Sequence, residues 1–524
     1  MASDEEQQTD GEQTLFQELK TGIKGVALGA AMIVERSGSG EKRHDEQANA
    51  KAPEPVQTEH RFRGGKEHFS YTVTTGMMPI RGEKGEKEAD VFYIAYTRND
   101  GADRSTRPLM FSFNGGPGSA SVWLHLGALG PKRVKMLDDG NLPAPPYQLV
   151  DNPESWLEHT DLVFIDPVGT GYSRPAKPEL GKKFWGVKGD IESIGEFIRL
   201  YLTRYSRWTS PLFLVGESYG TTRAAGLSDH LLEHGIALNG IVLVSSILNF
   251  QTASFGKGND LPFVLFLPTY TATAWYHGRL APELQKSLTE TLAEAEHWAE
   301  TDYAAALMRG DALTAEERTE VIAKLARYTG LEPRYLDECN LRVEIFRFCK
   351  ELLRSQRRTV GRLDSRIKGL DALASSATPD FDPSMTAIRP PYTALFNDYV
   401  RNVLKYETDE EYYILGGGIK NPWDWNIDRM GYVDTSEALR TAFAKNPYMK
   451  LFVASGYYDL ATPYFATEYT LAHMGLDPSL RDNIKTGEYE AGHMMYIHTA
   501  SLTKLKQDIS KFLDFALQPE ERVV

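Results

Sequence analysis

The sequence predicts an α/β fold, with a mostly parallel central sheet flanked by helices and a helical insertion set into it. Three observations predict this. Short apolar runs recur along the chain between turn-forming residues, helical patterns fall between several of them, and one long stretch loses that rhythm. The strand-like runs are Glu67 to Met77, Asp90 to Tyr96, Pro108 to Phe113, Leu162 to Ile165, Pro211 to Val215, Ile241 to Ser245 and Lys450 to Ala454. Gly189 to Arg204 and Thr221 to His234 read as helices. The span 251–391 is charged and helical throughout (Ala281 to Arg309, Thr314 to Thr329, Leu341 to Lys368) and reads as a cap. The core then falls into two parts, 60–250 and 392–524.

Residues 1–59 read as a disordered acidic tail and linker. The apolar run Gly25 to Val34 is too short to span a bilayer, which takes about 20 apolar residues. The region before it carries Asp4, Glu5, Glu6, Asp10, Glu12 and Glu18 against Lys20 and Lys24. A secretory leader opens on positive charge, so a cytoplasmic address is expected over export. Stable membrane insertion is not expected. Over the whole chain 58 Lys and Arg face 72 Asp and Glu, a net charge of −14. That sign argues against nucleic acid or an anionic membrane as partner. The two cysteines, Cys339 and Cys349, can form one bridge at most, and two buried free thiols are the plainer reading. No metal-ligand spacing and no phosphate-binding glycine loop occur, so no metal or cofactor is expected.

The chemistry concentrates at Leu212-Phe-Leu-Val-Gly-Glu-Ser218-Tyr-Gly220, an apolar strand running through Gly-x-Ser-x-Gly into a helix. This is the arrangement of a nucleophile elbow on an α/β-hydrolase fold, and it makes Ser218 the candidate nucleophile. The helix beginning there favours developing negative charge. Asn114-Gly115-Gly116-Pro117-Gly118 directly follows a strand, where exposed N–H groups suit an oxyanion loop; a plain Gly-Pro turn is the alternative. In this fold the acid and then the histidine follow the serine. Later histidines are His230, His234, His277, His297, His473, His493 and His498. His230 and His234 fall on the helix leaving the elbow, and His277 and His297 in the cap. His493 follows a loop glycine and is the candidate base. Asp459, just past the strand Lys450 to Ala454, is the candidate acid. Asp477 and Asp482 read as solvated turn residues.

Phe113-Asn-Gly-Gly-Pro-Gly118, Gly216-Glu-Ser-Tyr219, Ser455-Gly-Tyr-Tyr-Asp459 and Gly492-His-Met494 together resemble the serine carboxypeptidase family, as does Phe164-Ile-Asp-Pro-Val-Gly-Thr-Gly-Tyr-Ser173. The resemblance implies a Ser218–His493–Asp459 triad working through an acyl-enzyme, with the N–H groups of Gly116 and Tyr219 as the oxyanion hole. It also implies that Asn114, Gly115 and Glu217 bind the C-terminal carboxylate of a peptide substrate. A glutamate can face a carboxylate only when protonated, so cleavage is expected to favour acidic pH. Three features depart from the family pattern, one being that Asp166-Pro167 lacks a residue often found between the two. Ala128 stands where a second glutamate usually supports the first, and Ser119 where a disulfide cysteine is common. The departures resemble a disulfide-poor, bacterial-type branch.

The same triad used on esters or for acyl transfer is the alternative, and Ala128 keeps it open. A non-catalytic binding protein on this fold is the remaining one. Trp423, Trp425, Tyr457 and Tyr458 could line a side-chain pocket or simply be core. The basic run Arg354 to Arg366 reads as a solvated helix face. The oligomeric state is not legible.

Overall fold

The computed structural model describes residues 54–64, 68–101, 103–425 and 431–518. A ten-stranded mixed sheet runs through it. Its strands in chain order are β1 (Val56–Phe62), β2 (Phe69–Arg81), β3 (Lys87–Arg98), β4 (Leu109–Phe113), β5 (Asp161–Ile165), β6 (Leu212–Ser218), β7 (Gly240–Ser246), β8 (Lys450–Gly456) and β9 (Ile484–Tyr489). Their spatial order is β1-β2-β3-β5-β4-β6-β7-β8-β9, and a two-residue strand at Arg174–Pro175 pairs with β3. From β1 to β5 neighbours pair antiparallel, and from β5 to β9 every pairing is parallel. The parallel centre explains why β4 and β5 are apolar at almost every position: helices cover both faces, and both strands are buried throughout. Successive side chains still divide between the faces. Leu212 and Leu214 join one apolar cluster, while Phe213 and Val215 join the other.

All seven expected runs are strands, β2 to β8. The two edge strands of the sheet were not expected. Residues 56–59, read as the end of the linker, belong to edge strand β1, which alternates half-buried and exposed positions. Its polar outward residues Gln57, Glu59 and Arg61 hide the strand signal and suit an edge. Edge strand β9 is similarly polar, with Lys485, Thr486 and Glu488 among its six residues.

The helices that position the site are α1 (Val187–Arg204) and α2 (Tyr219–Glu233). In α1, buried Ile194, Phe197, Ile198, Tyr201 and Leu202 form one apolar face. The insertion is built on α3 (Leu261–Tyr276), α4 (Leu288–Trp298) and α5 (Ala315–Thr329). Helix α5 opens on a capping box between Thr314 and Glu317 and ends at Gly330 in the left-handed region. The insertion has its own apolar cluster, including Phe266, Trp298, Tyr328 and Phe348, which continues onto Tyr458, Leu460 and Tyr464 of the core. Helix α6 (Pro383–Asp398) runs across the expected boundary at residue 391, and its Ile388, Tyr392 and Phe396 pack in a cluster that lines the sheet.

The stretch Leu341 to Lys368 is not one helix. It holds a short helix, Ile345–Glu351, and then a two-stranded ribbon pairing Thr359–Val360 with Lys368–Gly369. The solvated-face reading of Arg354 to Arg366 holds at exposed Arg357 but not at Arg354 and Arg366. Arg366 is buried against Asp364, with guanidinium-to-carboxylate contacts of 2.6 and 2.9 Å, and Arg354 pairs with Glu351. Local ion pairing lets arginine enter the interior. Cys339 and Cys349 are both free, the first half-buried and the second buried.

Candidate active site

Ser218 ends β6 and precedes α2 with φ 59° and ψ −130°. A non-glycine residue at positive φ is strained, and here the strain lifts the serine out of strand geometry before the helix begins. The turn closes so tightly that a Cβ on Gly216 would stand 2.1 Å from the carbonyl oxygen of Gly220. The candidate oxyanion loop packs on the same turn. A Cβ on Gly115 would lie 2.4 Å from the backbone nitrogen of Tyr219, so only glycine allows the loop to approach. Gly116 follows at φ 101°. The candidate donors Gly116 and Tyr219 thus belong to two backbones in contact, one of them the first turn of α2, whose leading N–H groups lack intrahelical partners.

Arg223 on α2 ties the two together. It is buried, pairs with Asp190 of α1 at 2.8 Å, and donates to the carbonyl of Asn114 at 2.7 Å. Its guanidinium also lies 5.0 Å from the ring centre of Phe113. Burial raises the Asp190 carboxyl above its ordinary value, and Arg223 works against that rise. Arg223→Met is expected to lower stability by about 3–5 kcal/mol, because Asp190 would remain buried without its cation. Urea unfolding measures that loss.

Asp459 and His493 come from the loops after β8 and β9. His493 Nδ1–H donates to Asp459 Oδ2 at 2.7 Å. The same oxygen accepts the Thr462 hydroxyl at 2.7 Å, while Oδ1 accepts the backbone N–H groups of Ala461 and Thr462 at 2.8 and 3.0 Å. Asp459 is fully buried and His493 nearly so. Burial works against a charged imidazole. The charge and hydrogen bond of Asp459, with the charge of Glu217, outweigh it and hold His493 above the ordinary histidine value. The serine and histidine loops meet through β7: Ser246 is in register with Ser218, and the Ser245 hydroxyl donates to the His493 carbonyl at 2.6 Å.

The residue before the nucleophile, Glu217, is also buried. Its Oε2 accepts the Tyr496 hydroxyl at 2.6 Å. Burial pushes the carboxyl up to about 7, against the opposing effects of His493, Tyr496 and Asn114; the Asp459 charge adds to the rise. The Asn114 side-chain oxygen accepts from the Leu124 backbone N–H at 3.0 Å. Ala128 is buried in the apolar cluster that also contains Tyr496 and Tyr392.

The Asn114–Gly116 loop thus packs on the Glu217–Tyr219 turn, and the His493 loop, bonded to Asp459, reaches that turn through β7. The aromatic residues divide. Trp423 and Trp425 stand edge-on to Tyr219 at 5.4 and 6.1 Å, whereas Tyr458 is buried core. Several supporting residues carried no sequence signal: Thr462, Ser245, Arg223, Tyr496 and the strap at Arg362–Ser365. The strap passes between the Asp459 and His493 loops. The Leu363 carbonyl accepts from His493 N–H at 2.6 Å, the Arg362 carbonyl from Leu460 N–H at 3.0 Å, and Ser365 N–H donates to the Tyr458 carbonyl at 3.0 Å. Among the described residues no cluster of metal-ligating side chains occurs. No helix among them is long and apolar enough to cross a membrane.

The family model described as serine carboxypeptidase matches residues 65–506. The chain is 31% identical over 173 residues to the pheromone-processing carboxypeptidase KEX1 of Saccharomyces cerevisiae, covering 30% of this chain and 22% of that protein. It is 32% identical over 164 residues to serine carboxypeptidase-like 36 of Arabidopsis thaliana, covering 30% of this chain and 31% of the relative. The aligned part thus spans less than a third of either relative's length. The crystal structure of the yeast prohormone-processing carboxypeptidase Kex1p superposes with a TM-score of 0.53 at 16% identity, covering 84% of this chain and 91% of that one, which is a likeness of fold. With the family model spanning most of its length, the chain belongs to the serine carboxypeptidase family, on an α/β-hydrolase fold.

Proposed function

We propose that the protein is a serine carboxypeptidase that releases the C-terminal residue of peptides. The observation that carries this reading is the buried carboxyl of Glu217, one residue before the strained Ser218 and close enough to His493 for each to shift the other's charge. Ser218 Oγ attacks the last peptide carbonyl and passes its proton to His493 Nε2, the nitrogen left over by the bond to Asp459. Asp459 stabilises the resulting imidazolium. The tetrahedral oxyanion accepts hydrogen bonds from Gly116 and Tyr219 N–H, an interaction whose single-donor loss typically costs about 10²–10³ in rate. His493 then returns the proton to the departing amine, and water hydrolyses the acyl-enzyme by the same route.

Glu217, Asn114 and Gly115 distinguish a peptide with a free C-terminus. Neutral Glu217 can donate to the terminal carboxylate, whereas ionised Glu217 repels it. With the carboxyl at about 7, the neutral form dominates below that pH and is lost above it. The ratio of kcat/KM for a blocked dipeptide to that for its C-terminal amide is therefore expected to be highest at acidic pH. It should fall as pH rises through about 7. The ratio isolates Glu217, because His493 must be neutral for both substrates. A ratio near one at every pH would refute C-terminal recognition.

Ester hydrolysis or acyl transfer by the same triad is a second reading, favoured by the alanine at position 128. It predicts efficient cleavage of esters with no preference for a free carboxylate. A fluorophosphonate that fails to label Ser218 would refute both readings.

A further inference from the structure

In the family pattern a second carboxyl supports Glu217, and Ala128 removes it. The structure supplies a different partner. Tyr496 is buried on the short turn Met495–Ile497, three residues after His493, and its hydroxyl meets Glu217 Oε2 at 2.6 Å. Its ring occupies the space beside Gly127: a Cβ there would come within 2.4 Å of Tyr496 Cε2 and 2.8 Å of the Tyr392 hydroxyl. The small residues before the Leu-Gly-Pro thus make room for a phenol.

A phenol differs from a carboxyl in one decisive way. Buried Tyr496 is held well above the ordinary tyrosine value, so it stays protonated at any working pH. Two carboxyls in contact share a proton and titrate as a pair. A tyrosine donates whether Glu217 is charged or neutral. When Glu217 is neutral, Oε2 is engaged as an acceptor, so the proton belongs on Oε1. The groups facing Glu217 are His493, Asp459, Tyr496, Tyr392 and the amide of Asn114.

We propose that Tyr496 is a positioning residue for C-terminal recognition: its hydroxyl on Oε2 of Glu217 orients the carboxyl group so that Oε1 offers its proton to the terminal carboxylate of the peptide. This rests on the carboxypeptidase reading above. It assigns to the histidine loop a task the family pattern gives to the oxyanion side of the site. It also predicts an effect opposite in sign to simple damage. The Tyr496 bond favours ionised Glu217, so removing it makes the glutamate harder to ionise.

The test is Tyr496→Phe, which keeps the ring and removes the hydroxyl. The midpoint at which the free-acid to amide ratio falls is expected to move up by about one pH unit, the shift expected for one hydrogen bond to a charged group. KM for the free-acid peptide should rise relative to that for the amide, about ten-fold at pH 5. Glu217→Gln should make the ratio independent of pH. The carboxyl stretch of Glu217, followed by infrared spectroscopy and identified by its loss in Glu217→Gln, should show the same upward midpoint without any substrate. Placing 3-fluorotyrosine at 496, a stronger donor of nearly the same shape, should move the midpoint down. An unchanged infrared midpoint in both 496 variants would overturn the role of Tyr496 while leaving carboxypeptidase activity standing. A wild-type ratio near one at all pH, with the infrared shift present, would instead overturn the carboxypeptidase reading and the recognition step built on it.

Discussion

Replacing Ser218 by alanine is expected to lower kcat/KM for a blocked dipeptide by about 10⁴-fold or more, with little change in stability. The loss is that large because the triad acts as a unit: without the hydroxyl, neither the base nor the oxyanion donors have a covalent intermediate to serve. A fall of about 10⁴ corresponds to roughly 5.5 kcal/mol of transition-state stabilisation. The stability forecast follows from the backbone. Ser218 sits at φ 59°, and alanine carries the same Cβ penalty there. Ser218→Gly should be equally inactive yet more stable by about 1 kcal/mol, because glycine adopts that conformation without strain. Steady-state kinetics with thermal unfolding of both variants checks the pair of statements. Full peptidase activity in Ser218→Ala would remove Ser218 from the mechanism.

Asp459→Asn is expected to cost about 10⁴ in kcat near neutral pH while leaving the fold intact. Its hydrogen-bond pattern dictates why. Oδ1 accepts two backbone N–H groups, from Ala461 and Thr462, and an asparagine oxygen must take that place because an NH₂ group cannot accept them. The amide nitrogen then replaces Oδ2, facing the Thr462 hydroxyl and His493 Nδ1. A donor facing Nδ1 forces the imidazole proton onto Nε2, where it blocks transfer from Ser218. The variant also removes the negative charge that outweighs burial at His493, so the imidazole should ionise at lower pH. An NMR titration of His493 in wild type and Asp459→Asn tests that direction, and kcat tests the tautomer argument. A variant retaining wild-type kcat would show that His493 does not need this partner.

The centre of the fold was legible because its physics is local. Strands β4 to β8 are buried on both faces, so each appears as a short, largely apolar run bounded by turns. Edge strands β1 and β9 were not, since half of an edge strand faces water and its sequence looks like any polar connection. The strap at Arg362–Ser365 was misread for a related reason: it holds the Asp459 and His493 loops through backbone carbonyls, which every residue type possesses. Thr462 and Ser245 act through one hydroxyl each, too common a group to signal a role. Arg366 looked solvated because nothing in its periodicity reveals that Asp364, two residues away, accompanies it into the interior.

By itself the sequence determined the family, the tight strand-to-helix turn at Ser218 and the sheet that presents it. A tight strand-to-helix turn and a glycine loop need particular residues at fixed spacing, and such requirements are written along the chain. The tertiary structure decided how the carboxyl at Glu217 is supported. That support lies 279 positions away at Tyr496, across β6 and the loop after β9, and depends on a hydrogen bond formed only after folding brings the two together. A buried carboxyl titrates according to its neighbours in space, and those neighbours are set by packing rather than by spacing in the chain.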